Sequence, residues 1–405
     1  MMSRNYTFID VIIVVFLIVT SGYLGVGSIT NITIPLFVIS VLLFVYHKEK
    51  LSNLTIGVLV LFFFLMLLQR LKWAGSIGNV MNVELQLISY ALLASCVSRS
   101  FLRLFPKMVF VIAAISMFFY IIDHAGGHGV LLYIAKNFPI RLENQNDTMD
   151  AYSFLLYVVD ADAGIRNCGP FFEPGRYAVV LVIAYTLNLV KNQSLFGRDN
   201  VVILLALIST VSLSGLATLF VVLSVFLFTR KNKAMLGFVP ILLLIIVYLF
   251  PLFMQSDYFG GKLMTNYETN DNSNSRFGAF VYLWLQTLQS PFVGYGPSIF
   301  LLEDFDVFNV SSPNGIGELL RYWGIPMTVF YLVLLYRSGK TMGLAFARGG
   351  QLMVFLSIVL VSFSQSVTLT PLYYTFIFLG TQFELVKKSN ETNLVSLVNN
   401  VSSIN

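Results

Sequence analysis

Apolar runs of about 16–20 residues recur along almost the whole chain, each long enough to cross the hydrocarbon of a bilayer, or nearly so. They lie at 8–25, 29–46, 54–70, 80–98, 106–123, 175–190, 200–213, 215–229, 234–253, 316–336, 351–369 and 371–386. Backbone in lipid must satisfy its own hydrogen bonds, so runs of this kind fold as helices. Of the 405 residues, 57% are hydrophobic and only 11% charged. No soluble core of this length hides so much apolar surface, whereas lipid accepts it. The expectation is an all-α polytopic integral membrane protein of about 12 transmembrane helices, forming one membrane domain over residues 1–405. The first run lacks a small-residue cleavage site after it and reads as the first membrane helix. The fourth is the weakest, with Asn79, Asn82 and Glu84 at its start. The pair at 200–213 and 215–229 is short and joined by Ser212-Leu213-Ser214-Gly215, which reads as a tight helical hairpin or a broken helix buried by neighbours.

Charge sets the orientation. With the N-terminus in the cytoplasm, most of the 25 Lys and Arg residues fall on inner segments such as Arg230-Lys231-Asn232-Lys233. The positive-inside rule is then obeyed, and both termini are expected in the cytoplasm. Two connections are long, at 124–175 and 254–315. Both are then outward (periplasmic), and long loops in a compact protein usually carry function. The first holds an amphipathic stretch, Tyr152 to Tyr157. In the second, Phe277, Phe280, Val281, Trp284, Leu285 and Leu288 recur at helical spacing between Arg276 and Gln289, which predicts a helix lying at the membrane surface.

Three polar constellations stand out. In Arg166-Asn167-Cys168-Gly169-Pro170-Phe171-Phe172-Glu173-Pro174-Gly175-Arg176-Tyr177, Pro174 suits the first turn of a helix and Glu173 its N-terminus. Structurally, Glu173 is then a cap and Arg176 reaches to lipid headgroups. Functionally, Glu173 takes a proton from a hydroxyl while Arg166 and Arg176 hold an anion, since the planar fork of arginine matches phosphate oxygens. The second is Asn274-Ser275-Arg276 with Ser290-Pro291-Phe292-Val293-Gly294-Tyr295-Gly296-Pro297. Its glycines permit a sharp turn, either structural or close to a ligand. In the third, Ser311 to Glu318, Asn314 precedes a helix on which Glu318 and Arg321 share a face, as an ion pair or as part of a site.

Other chemistries lack their residues. His124 and His128 are four apart, but Gly126, Gly127 and Gly129 argue against a helix there. No metal site, cofactor site, P-loop or nucleic-acid module is expected. Cys96 and Cys168 fall on opposite faces, so no disulfide is expected between them.

The order of these features resembles the superfamily of O-antigen polymerases (Wzy) and O-antigen ligases. The resemblance rests on Arg166 to Tyr177, on Ser212 to Gly215, on Arg276 with Pro291 and Gly294-Tyr295-Gly296, and on Asn314 with the helix carrying Leu319, Leu320 and Gly324. It covers residues 160–330 by motif and the whole chain by topology. It implies a metal-independent glycosyltransferase of the bacterial inner membrane. Such an enzyme joins oligosaccharide repeats carried on polyprenyl (undecaprenyl) diphosphate, as in lipopolysaccharide and other surface polysaccharides. Membrane lipid, a chain-length regulator and a flippase are the implied partners. Glu173, Arg176 and Arg276 would be catalytic; Arg166, Asn314, Arg321, Glu318 and Tyr295 would bind substrate. Ligases of the superfamily usually show a His beside the Asn, where this chain has Pro313. That favours polymerase over ligase. A flippase or transporter of lipid-linked sugar is the alternative from another class; charged or broken helices near the midplane would mark it, and the sequence shows neither.

Overall fold

The computed structural model describes residues 7–22, 33–137, 151–154, 156–160, 166–171, 173–229, 276–296, 314–346 and 350–382. The predicted span at 234–253 and much of both predicted outward loops lie outside them. The described chain is helical apart from one two-stranded hairpin. Its helices are α1 (Phe8–Thr20), α2 (Thr33–His47), α3 (Asn53–Trp73), α4 (Ile77–Val97), α5 (Phe101–Ile122), α6 (His128–Asn137), α7 (Pro174–Asn192), α8 (Arg198–Ser209), α9 (Leu213–Thr229), α10 (Arg276–Gln289), α11 (Gly315–Phe346), α12 (Gly350–Ser362) and α13 (371–382). The strands β1 (Ala151–Phe154) and β2 (Tyr157–Asp160) pair antiparallel.

Among the described residues, four helical segments are long and apolar enough to cross a membrane: Asn53–Trp73, Ile77–Val97, Phe101–Asn137 and Gly315–Gly343. Their outer faces are apolar as well as exposed; Val60, Phe64 and Leu71 on α3, and Val38 and Leu42 on α2, all point away from the protein. In water such faces would cost free energy in proportion to their area. In lipid they are solvated, so this is a membrane-embedded helical protein.

Local signals fix several ends. Thr7 and Asp10 form a reciprocal capping box at α1. Ser52 caps α3 and Ser76 caps α4. Pro174 starts α7, where its missing N–H costs nothing.

α7 is the axis of the bundle. Every residue from Tyr177 to Val190 is buried, as expected of a helix that is apolar all round. It packs against α5, α8, α9, α11 and α12, so its N-terminus, with Glu173 and Arg176, lies in the middle of one end of the molecule. The β-hairpin marks that end. The opposite end is tied by buried hydroxyls and amides: Thr55 to Thr381 at 2.7 Å, and Gln382 Nε2 to Ser95 at 2.9 Å.

Two expectations need correction, and the amphipathic stretch 152–157 gains a defined form. The chain does not leave the helix at His124. A π-helical turn over Asp123–Gly127 carries it into α6, with Gly126 in the left-handed region at φ 97°. The glycines therefore make a kink rather than a stop. The stretch 152–157 is a hairpin, seated with α6 in a small second core of Leu131, Ala135, Tyr157 and Val159. The run 351–369 is helical only to Ser362; a turn follows, and Pro371 opens α13.

Candidate functional site

The segment from Arg166 to Glu173 dips into the bundle. Its anchor is Asn167, fully buried, whose Nδ2 donates to Ser209 Oγ at 3.0 Å and whose Oδ1 accepts from the Gly169 amide at 2.9 Å. The Asn167 amide in turn donates to the Ser209 carbonyl at 2.9 Å. Ser209 ends α8, which has only 12 residues and so spans about 18 Å. The tip of the α8–α9 hairpin therefore stops well inside the bundle, below the end of α5. It is the tight hairpin expected from Ser212 to Gly215.

Arg166 serves that hairpin. Its Nε donates to the Thr210 carbonyl at 2.9 Å and its Nη2 to the Val211 carbonyl at 3.3 Å. A cation on the open carbonyls of a helix C-terminus is favourable, and here it also holds Val211 in the left-handed region at φ 49°. Arg166 thus holds the turn of the hairpin.

Arg176 and Glu173 are together at the head of α7. Glu173 is the N-cap of α7 without a capping bond, and Arg176 Nε lies 3.8 Å from its Oε2. Both are partly exposed, at 33% for Glu173 and 23% for Arg176. The first turns of α11 bring Glu318 and Arg321 to the same place. Glu318 interacts electrostatically with both Arg321 and Arg176, and its Oε2 accepts from the Ser366 hydroxyl. Asn314, fully buried, caps α11 through Oδ1 and the Gly317 amide at 2.8 Å. It sets where α11 starts, and hence where Glu318 and Arg321 stand.

Next to Ser366 is Gln365, which is fully buried. Its amide lies against Gly175, so closely that a Cβ there would come within 1.9 Å of Nε2. Both of its amide atoms, together with Nε of Arg176 and Nε of Arg321, are buried without a hydrogen-bond partner among the described residues. Such groups are rare in native proteins and need a reason.

The second predicted turn has another role. α11 is broken at Gly324 (φ 75°, ψ 172°), and the 291–296 turn fills the break. The Ile325 amide donates to the Pro291 carbonyl at 2.7 Å. Gln69 Nε2 clamps the carbonyls of Val293 and Tyr322 at 2.7 and 2.8 Å. Gly294 and Gly324 face each other so closely that a side chain on either would strike backbone. The glycines here serve backbone packing.

Tyr295 is 2% exposed, stacked on Trp73 with ring centroids 4.7 Å apart. Its hydroxyl donates to Gln289 Oε1 at 3.0 Å. Burial pushes its phenol above the usual range, against the neighbouring charge of Arg321. Tyr295 therefore braces Arg321 from behind, and its amide donates to the Arg321 carbonyl at 3.0 Å.

The predicted helix Arg276–Gln289 is present as α10. Its apolar stripe faces outward, with Val281, Leu285 and Leu288 exposed, while Ala279, Leu283, Gln286 and Thr287 are buried against the bundle. Arg276 opens this helix; its side chain lies outside what is described.

A second polar group closes the π turn. Asp123 receives the Tyr157 hydroxyl on Oδ2 at 2.7 Å, and its Oδ1 lies 2.7 Å from His128 Nδ1. Among the described residues no group of three or more His, Cys, Asp or Glu side chains could hold a metal ion. Cys96 is buried, and Cys168 Sγ lies 3.8 Å from the Arg166 carbonyl.

The structure thus brings together Glu173, Arg176, Glu318 and Arg321, with Asn314 and Tyr295 as their supports. Arg166 holds the turn of the α8–α9 hairpin. Sequence reasoning missed Gln365, Ser366, Asn167 and Asp123. Of these only Asn167 lay in a motif; the others are single polar residues in or beside apolar runs, with no local signal. No protein family, curated protein or solved structure matches the chain.

Proposed function

We propose that this protein is a polymerase of lipid-linked oligosaccharide repeats, working at the outward face of a bacterial inner membrane with both termini in the cytoplasm and about 12 spans. The observation that carries the reading is that Arg176, beside Glu173 at the head of the buried axial helix, and Arg321 both lie near enough to Glu318 to act on its carboxyl electrostatically. Two cations at the end of a bundle of apolar helices suit a diphosphate whose tail lies in lipid. The resemblance of the motifs to O-antigen polymerases points the same way.

The acceptor hydroxyl attacks the anomeric carbon of the donor. The bond from that carbon to the diphosphate oxygen breaks, and its electron pair leaves with polyprenyl diphosphate. Charge grows on the leaving group, where preorganised arginines lower the barrier most. Glu173, the more open carboxylate, takes the hydroxyl proton. Glu318, held by Ser366, balances the charge of the two arginines. Arg276 is the third cation of this reading and α10 its surface anchor. Arg166 drops out of the diphosphate set, because its guanidinium holds the hairpin. A ligase reaction would use the same donor with another acceptor.

One observation favours a second reading, a transporter of lipid-linked sugar: α11 is broken at Gly324. Two assays separate them, a product ladder and transport across vesicles. Purified protein is incubated with polyprenyl diphosphate repeats and the products are run on a gel. A ladder with release of polyprenyl diphosphate is expected, and Arg176→Ala and Arg321→Ala should abolish it while the proteins stay in the membrane. Unchanged substrate from folded protein would sink the enzyme reading, and repeats moved across a vesicle would support the transporter.

A further inference from the structure

We propose that Gln365 is a sugar-reading residue, which binds a pair of adjacent hydroxyls on the sugar attached to the diphosphate. The inference rests on the function proposed above. Three observations carry it. Gln365 is fully buried, yet neither amide atom has a hydrogen-bond partner among the described residues. It is pressed against Gly175 at the head of α7, where only a glycine leaves room. Its neighbour Ser366 holds Glu318, which links it to Arg176 and Arg321.

An unpaired donor or acceptor in a protein interior costs free energy that a simple apolar residue would not. Here a donor and an acceptor sit side by side on one planar group. A vicinal diol matches that pattern, since each hydroxyl both donates and accepts. A phosphate does not, because it offers acceptors alone. The arginines hold the diphosphate, so the sugar next to it is the one within reach. Sites built to pair a substrate hydroxyl reject analogues that lack it, because the buried partner is then left unmet.

Three probes test this by equilibrium binding to the full-length protein in detergent: bare polyprenyl diphosphate, polyprenyl diphosphate hexose, and its 3-deoxyhexose analogue. Loss of the 3-hydroxyl removes every adjacent hydroxyl pair on the ring. Wild type should bind the hexose about tenfold more tightly than the 3-deoxy analogue, one hydrogen bond's worth. In Gln365→Met that ratio should collapse to near one, with binding of the bare diphosphate unchanged. The variant should also melt at a higher temperature, as removal of an unmet buried amide predicts; Gln365→Leu serves if it fails to fold. A ratio that survives in the variant, or a wild type blind to the 3-hydroxyl, overturns the role of Gln365 and leaves the proposed function standing. A wild type that binds none of the three overturns both.

Discussion

The hydroxyl of Tyr177, in the first turn of α7, meets the hydroxyl of Ser116 on α5 at 2.8 Å. Ser116 is six residues short of Ile122, where α5 ends, so the head of α7 is sunk about 9 Å below the end of its neighbour. Tyr177→Phe should cost about 1 kcal/mol, one buried hydrogen bond. Thermal unfolding in detergent would read it, and an unchanged midpoint would show that the contact is not maintained.

Asn167 joins the dipping segment to α5 and α8, with side-chain bonds to Ser209 and to the Gly169 amide. Asn167→Ala leaves the Gly169 amide buried and unmet, while Ser209 keeps its bond to the Ala206 carbonyl, at about 1–3 kcal/mol. The loss should exceed that of Tyr177→Phe in the same assay.

Arg166 is bound by its planar fork to two carbonyls of one turn. Lysine keeps the charge but cannot reproduce the fork. Arg166→Lys should therefore lower stability by about 1.5–3 kcal/mol while leaving binding of polyprenyl diphosphate close to wild type. A variant of normal stability that no longer binds the lipid would return Arg166 to the diphosphate set.

Gly324 holds a backbone conformation open essentially to glycine alone, and faces Gly294 across the break in α11. Gly324→Ala combines strain of about 1–3 kcal/mol with overpacking of similar size. Loss of a monodisperse peak in size-exclusion chromatography is the expected result. A well-folded Ala variant would mean that α11 can close into a continuous helix.

Tyr157 is pushed above its ordinary value, first by burial and then by its hydrogen bond to Asp123. A phenol raised in this way contributes stability fully below the unfolded value near 10, and the contribution is lost as pH climbs past it. The unfolded chain then sheds a proton that the folded one retains. Stability of wild type should fall above pH 10 by up to about 1.4 kcal/mol per unit from this residue. Tyr157→Phe should lack that component, at the expense of the bond to Asp123 at lower pH. Denaturation midpoints from pH 8 to pH 11 would compare the two.

Much of the fold can be read from hydropathy. The runs 54–70, 80–98 and 175–190 correspond to Asn53–Trp73, Ile77–Val97 and Pro174–Asn192. Helical spacing located Arg276–Gln289 to the residue. The errors share one cause. A window of apolar residues is blind to a backbone that turns while staying apolar, as after Ser362, and glycine looks like a stop where a π turn accommodates it, as at Gly126. The site divides in the same way. Glu173, Arg176, Glu318 and Arg321 were visible because a charge at the end of an apolar run is expensive and stands out. Gln365 did not, because one amide in an apolar run has no local signature.

The sequence by itself determined that this chain is a bundle of membrane helices, since lipid leaves so apolar a backbone no other economical form. It also marked the charged helix ends that a site would use. Only the tertiary structure decided which of those ends meet. α7 sinks to the level of Ser116, the α8–α9 hairpin stops short beneath it, and the turn after α12 swings Gln365 against Gly175. These are contacts between residues far apart in sequence, fixed by packing, and no local pattern encodes them.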